Sequence, residues 1–260
     1  MCLALPKPTA PAFVQALRPV APSPAASELS EPLLLAASAS ASGSGSSPAP
    51  VPVPLPSADA TPPAEHHYQV PNAPALSQLP ELPNGCEAVA ATMLLNWAGL
   101  PVTKEEVADA LPRGEMPAEN ADGAFVGGNP EDVFVGNPYK AGYGIYHKPM
   151  YATMNQLLPG RFKDITGASF DTLLGVIEAG KPAMIWATEH MDTPYLDLEW
   201  QDEEDRLVEW YQPEHALLLT GWDDDYAYMN DPMTGQQEAY ALSDFKQVWE
   251  LMGSQAITLN

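Results

Sequence analysis

Apolar residues recur along this chain in two rhythms, and both begin only after about residue 66. From Cys86 to Ala98, Val89, Met93 and Trp97 fall at i, i+4 and i+8 with Ala90 and Leu94 beside them, the period of an α-helix. Gly99 stops it. Thr103-Lys104-Glu105-Glu106 has the form of a capping box, so a short helix is predicted to about Leu111. Lys148 to Leu158 predicts a third helix, with Tyr151, Met154 and Leu158 on one face. A fourth is predicted after Ser169, with Phe170, Leu173, Leu174 and Ile177 facing inward and Gly180 ending it.

The rhythm then changes. Pro182 to Thr188 and His215 to Trp222 read as buried strands, and Tyr226 to Asn230, Gln237 to Tyr240 and Gln255 to Leu259 as further strands. Asp223-Asp224-Asp225 and Asp231-Pro232-Met233-Thr234-Gly235 read as turns, and Ser243 as the cap of a last helix carrying Phe245, Val248 and Trp249. Helices cluster first and a mainly antiparallel sheet follows, which is an α+β order. Three segments fall outside these elements. Val70 to Leu82 reads as an extended approach chain, 112–147 as a long Gly/Pro/Asn-rich loop, and 189–212 as an acidic, aromatic insertion with Trp200, Trp210 and Tyr211.

Composition divides the chain at the same place. Residues 1–66 hold 14 of the 29 prolines and none of the six tryptophans. They include an Ala/Ser/Gly run at 36–47 and a proline-alternating run at 48–56, which predict a disordered linker: first flexible coil, then a stiffer spacer. Residues 67–260 have the length and aromatic content of one folded domain.

The formal charge is −23, nearly all of it after residue 66. So negative a field argues against nucleic acid or an anionic membrane as partner and favours cationic or neutral substrates, although acidity also simply keeps a domain soluble. No run of eighteen apolar residues suggests a membrane span. An Ala/Ser/Pro stalk fits an extracellular or cell-surface protein that has lost its export signal, with Cys2 a conceivable lipid attachment point; a cytoplasmic location stays open. A monomer is expected.

Cys86 is the only cysteine of the folded part, and it follows the turn signal Pro83-Asn84-Gly85 at the opening of the first helix. Helix N-termini favour anions, so this position predicts a lowered thiol pKa and a nucleophile. A nucleophile needs a base and the base an orienting group. His215 opens one strand and Asp231 ends the next. If these strands form a hairpin, the two residues meet at one sheet end, about 4.8 Å being the strand spacing. Gln78, shortly before the cysteine, and the Cys86 N–H are candidate donors to an oxyanion. Singly, each residue has a structural reading: a buried thiol, a strand-capping histidine, an ordinary Asp-Pro turn. His147 and His190 are competing bases. A zinc site from Cys86, His215 and Asp231 lacks the usual ligand spacings, and no metal or other cofactor is expected.

Gln78 with Leu82-Pro83-Asn84-Gly85-Cys86-Glu87 and Met93-Leu94-Leu95-Asn96 resembles the cysteine motif of the peptidase C39-like family. Asn129 to Pro138 with Gly142-Tyr143-Gly144 is similar to its middle segment, and Pro213-Glu214-His215-Ala216, Leu219 to Asp223 and Asn230-Asp231-Pro232 to its His and Asp motifs. The resemblance spans roughly residues 69–258. It implies a papain-like cysteine peptidase fold acting on a peptide or protein substrate. Cys86 would be the nucleophile, His215 the base and acid, Asp231 the orienter and Gln78 the oxyanion donor. Asn137, Tyr143, His147 and Trp186 are the candidate substrate-binding residues. The better-known members cut leader peptides after double glycine and are fused to transporters. This chain has no transporter motifs and carries Glu87, not Gly, after its cysteine, so that substrate does not transfer. An acyl transferase with the same triad, or a non-catalytic binding module on the same fold, are the other readings.

Overall fold

The computed structural model describes residues 66–260. The linker expected over 1–66, and with it Cys2, lies outside the described residues except for His66.

The first helix, α1 (Cys86–Trp97), is apolar on every side, and its residues from Cys86 to Leu95 are all buried. Such a helix must lie inside the molecule rather than on it. It packs against α2 (Lys104–Ala110) and α3 (His147–Leu157) on one side and against the central sheet on the other. The predicted capping box is present: Thr103 accepts from the Glu106 N–H and Glu106 accepts from the Thr103 N–H. Two orphan donors are thereby satisfied, which is worth about 0.5–2 kcal/mol for the Thr103 side chain alone.

Short strands β1 (His67–Gln69), β2 (Arg113–Gly114), β3 (Ala118–Glu119), β4 (Phe125–Val126) and β5 (Phe134–Val135) precede β6 (Phe162–Asp164). After α4 (Phe170–Glu178) come β7 (Ala183–Thr188), β8 (Tyr195–Gln201), β9 (Leu207–Gln212), β10 (Glu214–Asp223), β11 (Tyr226–Asp231) and β12 (Gln236–Ala241), then α5 (Leu242–Leu251) and β13 (Ala256–Leu259). The main sheet runs β12-β11-β10-β7-β13-β6, with β1 also on β10, and every pairing in it is antiparallel. Alternation along β7, β10 and β13 sends Met184, Trp186, Ala216, Leu218 and Ile257 towards α1–α3. Ala183, Ile185, Leu217, Leu219 and Ala256 go towards α4 and α5. The sheet is therefore buried on both faces, which is why its strands read as continuous apolar runs.

Three expectations need correction. The 112–147 loop contributes paired strands: β2 to β5, and β3 and β4 to a second sheet ordered β3-β4-β8-β9. The 189–212 insertion is not irregular; β8 and β9 form a hairpin in that second sheet. Its period-2 signal is weak because only Trp200, Val208 and Trp210 are fully buried, in a small core with Val135, while the positions between them mix Glu199, Gln201, Leu207, Glu209 and Tyr211. Ser243 does not cap α5; the cap position is Ala241 and the serine hydroxyl donates to Asp244.

Candidate active site

Cys86 sits where the approach chain turns into α1. The preceding Gly85 has no side chain to cap the helix. It is glycine for lack of room: a Cβ there would lie 2.6 Å from the Cβ of the fully buried Leu82. The turn held by the Gly85 N–H to the Leu82 carbonyl thus delivers the cysteine directly at the first helical residue.

The hairpin expected from β10 and β11 forms, with Leu218 opposite Asn230 and Leu219 opposite Met229. Asp231 then falls at the level of Leu217, two residues from His215 and on the same face. His215 Nε2 lies 2.7 Å from Asp231 Oδ1, with both residues buried. Asp231 Oδ1 also accepts from the Met233 N–H and Oδ2 from the Tyr240 hydroxyl, each at 2.7 Å. Burial alone pushes the Asp231 carboxyl up, but the bonds from His215, Tyr240 and Met233 outweigh it and hold the group below its ordinary value. Asp231 is thus an ionised anchor that fixes the imidazole through Nε2 and leaves Nδ1 free.

Gln78, Cys86 and His215 line one cleft of about 80 Å³ with Asn84, Tyr143, Glu189, Trp210, Gln212 and Glu214. The backbone of Ala216, the residue after His215, lies beside the Cys86 sulfur and lowers its pKa, which brings the start of β10 next to the thiol. Gln78 is held through its own N–H to the Pro232 carbonyl and through Nε2 to the Pro83 carbonyl. One Nε2 hydrogen remains for a second acceptor.

The thiol itself departs from the expectation of a lowered pKa. Burial, then the neighbouring Glu87 and Glu214, push it well above its ordinary value, and the Ala216 backbone opposes them only in part. The helix-terminus effect is outweighed because Cys86 is buried and has two carboxyl groups beside it. Cys86 Sγ donates to Glu87 Oε2 across 3.3 Å, while Glu87 Oε1 accepts from the Ile145 N–H. Burial pushes the Glu87 carboxyl up to about 7. Glu214 is pushed up as well, by burial first and then by Glu87 and Glu189. The resting site is therefore a neutral thiol among weakly acidic carboxyls.

The four candidate substrate-binding residues divide. Tyr143 lines the cleft, its ring against Trp200 and Trp210. Asn137 does not; its Oδ1 accepts from the Tyr139 N–H, and it borders a separate depression with Arg113 and Lys140. Trp186 is fully buried, because its β7 position faces the α1 side of the core, and its Nε1 donates to the Ile145 carbonyl. His147 opens α3 and is bonded to Asp164 on β6, away from the cleft. His190 is exposed in a 3-10 turn with φ of 56°. Glu214, Trp210 and Tyr240 were not foreseen. Glu214 stands next to His215 in sequence, but nothing in a lone glutamate before a strand marks it as buried.

Helices packed against both faces of a mainly antiparallel sheet, with the cysteine opening the central helix, make this a C39-like, papain-like peptidase fold. The Peptidase_C39 like family matches residues 70–257, and the chain belongs to it. It is 32% identical over 181 residues to the uncharacterized protein YvpB of Bacillus subtilis strain 168, covering 69% of this chain and 70% of that one. A crystal structure of a candidate C39-like peptidase from Bacillus anthracis superposes with a TM-score of 0.67 at 32% identity, covering 75% of this chain and 98% of that one.

Proposed function

We propose that the protein is a thiol hydrolase that cleaves a peptide or related amide bond. The observation carrying this reading is the His215–Asp231 hydrogen bond at 2.7 Å, placed on the cleft that also exposes Cys86 and Gln78. Asp231 fixes the ring so that its other nitrogen can serve the thiol.

The chemistry follows from the neutral resting state. As the sulfur attacks the substrate carbonyl, His215 takes the thiol proton, so no free thiolate has to persist in the buried site. The carbonyl oxygen gains a negative charge, which the Cys86 N–H and the remaining Gln78 Nε2 hydrogen are placed to receive. His215 returns the proton to the departing amine, leaving an acyl group on sulfur. Water, deprotonated by His215, then releases the acid and restores the thiol. An amine in place of water would make the same site an acyl transferase.

A peptide-library cleavage screen tests the reading, with Cys86→Ala as control. Products formed by the parent and absent with the variant support it; identical products from both refute it. Two features favour the non-catalytic alternative: the cleft is small, and burial with the neighbouring carboxyls pushes the thiol pKa up. A binding module would show an unreactive Cys86 and no products while still retaining peptides. The Ala/Ser/Pro stretch before residue 67 suits an exported enzyme tethered at a surface.

A further inference from the structure

We propose that the cleft beside Cys86 carries a cation subsite, formed by Glu214 with Glu87 and Glu189 and walled by Trp210 and Tyr143, that takes an ammonium or guanidinium group of the peptide substrate. This rests on the peptide-hydrolase reading above and narrows it to substrates that present a positive charge next to the cleaved bond.

The first support is an unmet need. Glu214 is 9% exposed, and its buried Oε1 has no hydrogen-bond partner among the described residues. Other strongly buried acids of this chain do have theirs: Asp202 is bonded by Asn129 and by Arg206, and Asp231 by His215, Tyr240 and Met233. Burying a carboxylate without a partner is costly, so such a group marks a missing donor or a missing charge. Glu87 is not the vacancy, since Ile145 and Cys86 occupy its two oxygens.

The surroundings define the missing partner. Glu189 and Glu214 line the cleft, Glu87 lies beside Cys86 and Glu214 just behind it, and no lysine or arginine is among the lining residues. Trp210 and Tyr143 line the cleft, Trp210 backed by the stacked ring of Tyr146, and aromatic rings attract cations. Gly144 completes the wall: a Cβ there would collide with Glu87 Oε1 and lie 2.9 Å from Trp210, so only glycine lets the carboxyl and the indole approach. A cleft of about 80 Å³ admits a charged head group rather than a whole residue.

A bare metal ion is the rival occupant, because donor atoms of Cys86, Glu87 and Glu214 lie within 4.8 Å of one another. The orphan set favours a peptide. Trp210 Nε1 is a buried donor without a partner among the described residues, and Gln78 Oε1 a buried acceptor without one. A peptide brings a carbonyl and an N–H along with its cation; a metal ion meets neither need.

The test reads charge preference at Cys86 without depending on cleavage. In the full chain with Cys2→Ser, Cys86 is modified by 2-aminoethyl, methyl and 2-sulfonatoethyl methanethiosulfonate, each rate normalised to that with 2-mercaptoethanol. The expected result is a preference of at least about tenfold for the cationic over the neutral reagent, equivalent to about 1.4 kcal/mol. It should persist near 1 M salt, where the Debye length falls to about 3 Å, and be lost in Glu214→Gln. A preference that salt abolishes and Glu214→Gln leaves intact belongs to the overall −23 charge and overturns the subsite.

Glu189→Gln, at the half-buried rim, gives a second reading if Glu214→Gln does not fold, and is expected to reduce the preference several-fold; an unchanged preference counts against the subsite. Protection of Cys86 by Nα-acetylated peptides containing Lys, Arg or norleucine, and by peptides with a free amino terminus, separates side-chain from terminal cations. Block by micromolar zinc with no cation preference would assign the site to a metal instead. A cation preference without cleavage of any library peptide would keep the subsite and sink the hydrolase.

Discussion

His215 and Asp231 are sixteen residues apart in sequence and 2.7 Å apart in space. The hairpin register brings them together, and Asp231 carries two further hydrogen bonds that hold it still. An orienter of this kind acts only through the ring it holds. Asp231→Ala is therefore expected to lower kcat/KM by roughly 10³–10⁴, one to two powers of ten less than Cys86→Ala. Steady-state assays on a peptide from the cleavage screen check the ranking, and equal losses in folded proteins would assign Asp231 a direct part in the reaction.

Glu87 is the immediate neighbour of the thiol and accepts its proton-bearing bond. Removing that negative charge removes a cause of the raised thiol pKa. Glu87→Gln should move the Cys86 titration downward, giving more thiolate at neutral pH. The pH profile of iodoacetamide labelling in a Cys2→Ser background measures it. An upward or absent shift would contradict the electrostatic account.

The same carboxyl links stability to pH. Its folded value of about 7 lies above the ordinary 4.5, so the unfolded chain gives up this proton first as pH rises. Glu87 therefore withdraws stability between about pH 4.5 and 7. Asp231 has the opposite sign: its folded value is depressed, so its contribution is fully present above the unfolded value of about 3.9 and is lost as pH falls from there through the lower folded value. Urea unfolding across this range should show stability declining from pH 4.5 to 7, with a smaller decline in Glu87→Gln.

Gly85 and Leu82 meet so closely that a methyl group has no place between them. Gly85→Ala is expected to cost about 1–3 kcal/mol, as overpacking in a close-packed region does, and to displace the cysteine. A urea midpoint within error of the parent would show that the turn can open without loss.

The candidate site was legible because its parts sit at element boundaries. Cys86 follows a Pro-Asn-Gly turn, and His215 and Asp231 bracket two strands whose apolar runs and acidic turn predict a hairpin. The smaller sheets were not legible: β2, β3, β4 and β5 are two residues each, and β8 and β9 interleave buried Trp200 and Trp210 with exposed polar side chains such as Glu199 and Glu209 that mimic a loop. Nor was the character of the thiol. A helix N-terminus read from sequence predicts a lowered pKa, but burial is a tertiary fact, and Glu214 reaches Cys86 only through the placement of β10 beside α1. Trp186 failed as a substrate contact for the same reason, since an aromatic on a strand reads alike whether it faces core or cleft.

The central claim is that the Cys86 sulfur and the His215 imidazole work as a pair. The direct measurement is the rate of iodoacetamide labelling of Cys86 at neutral pH in Cys2→Ser and in Cys2→Ser with His215→Ala. A ring that takes the thiol proton predicts that its removal slows labelling by about tenfold or more. Equal rates in two folded proteins would mean that sulfur and ring do not cooperate, and the hydrolase would have lost its base.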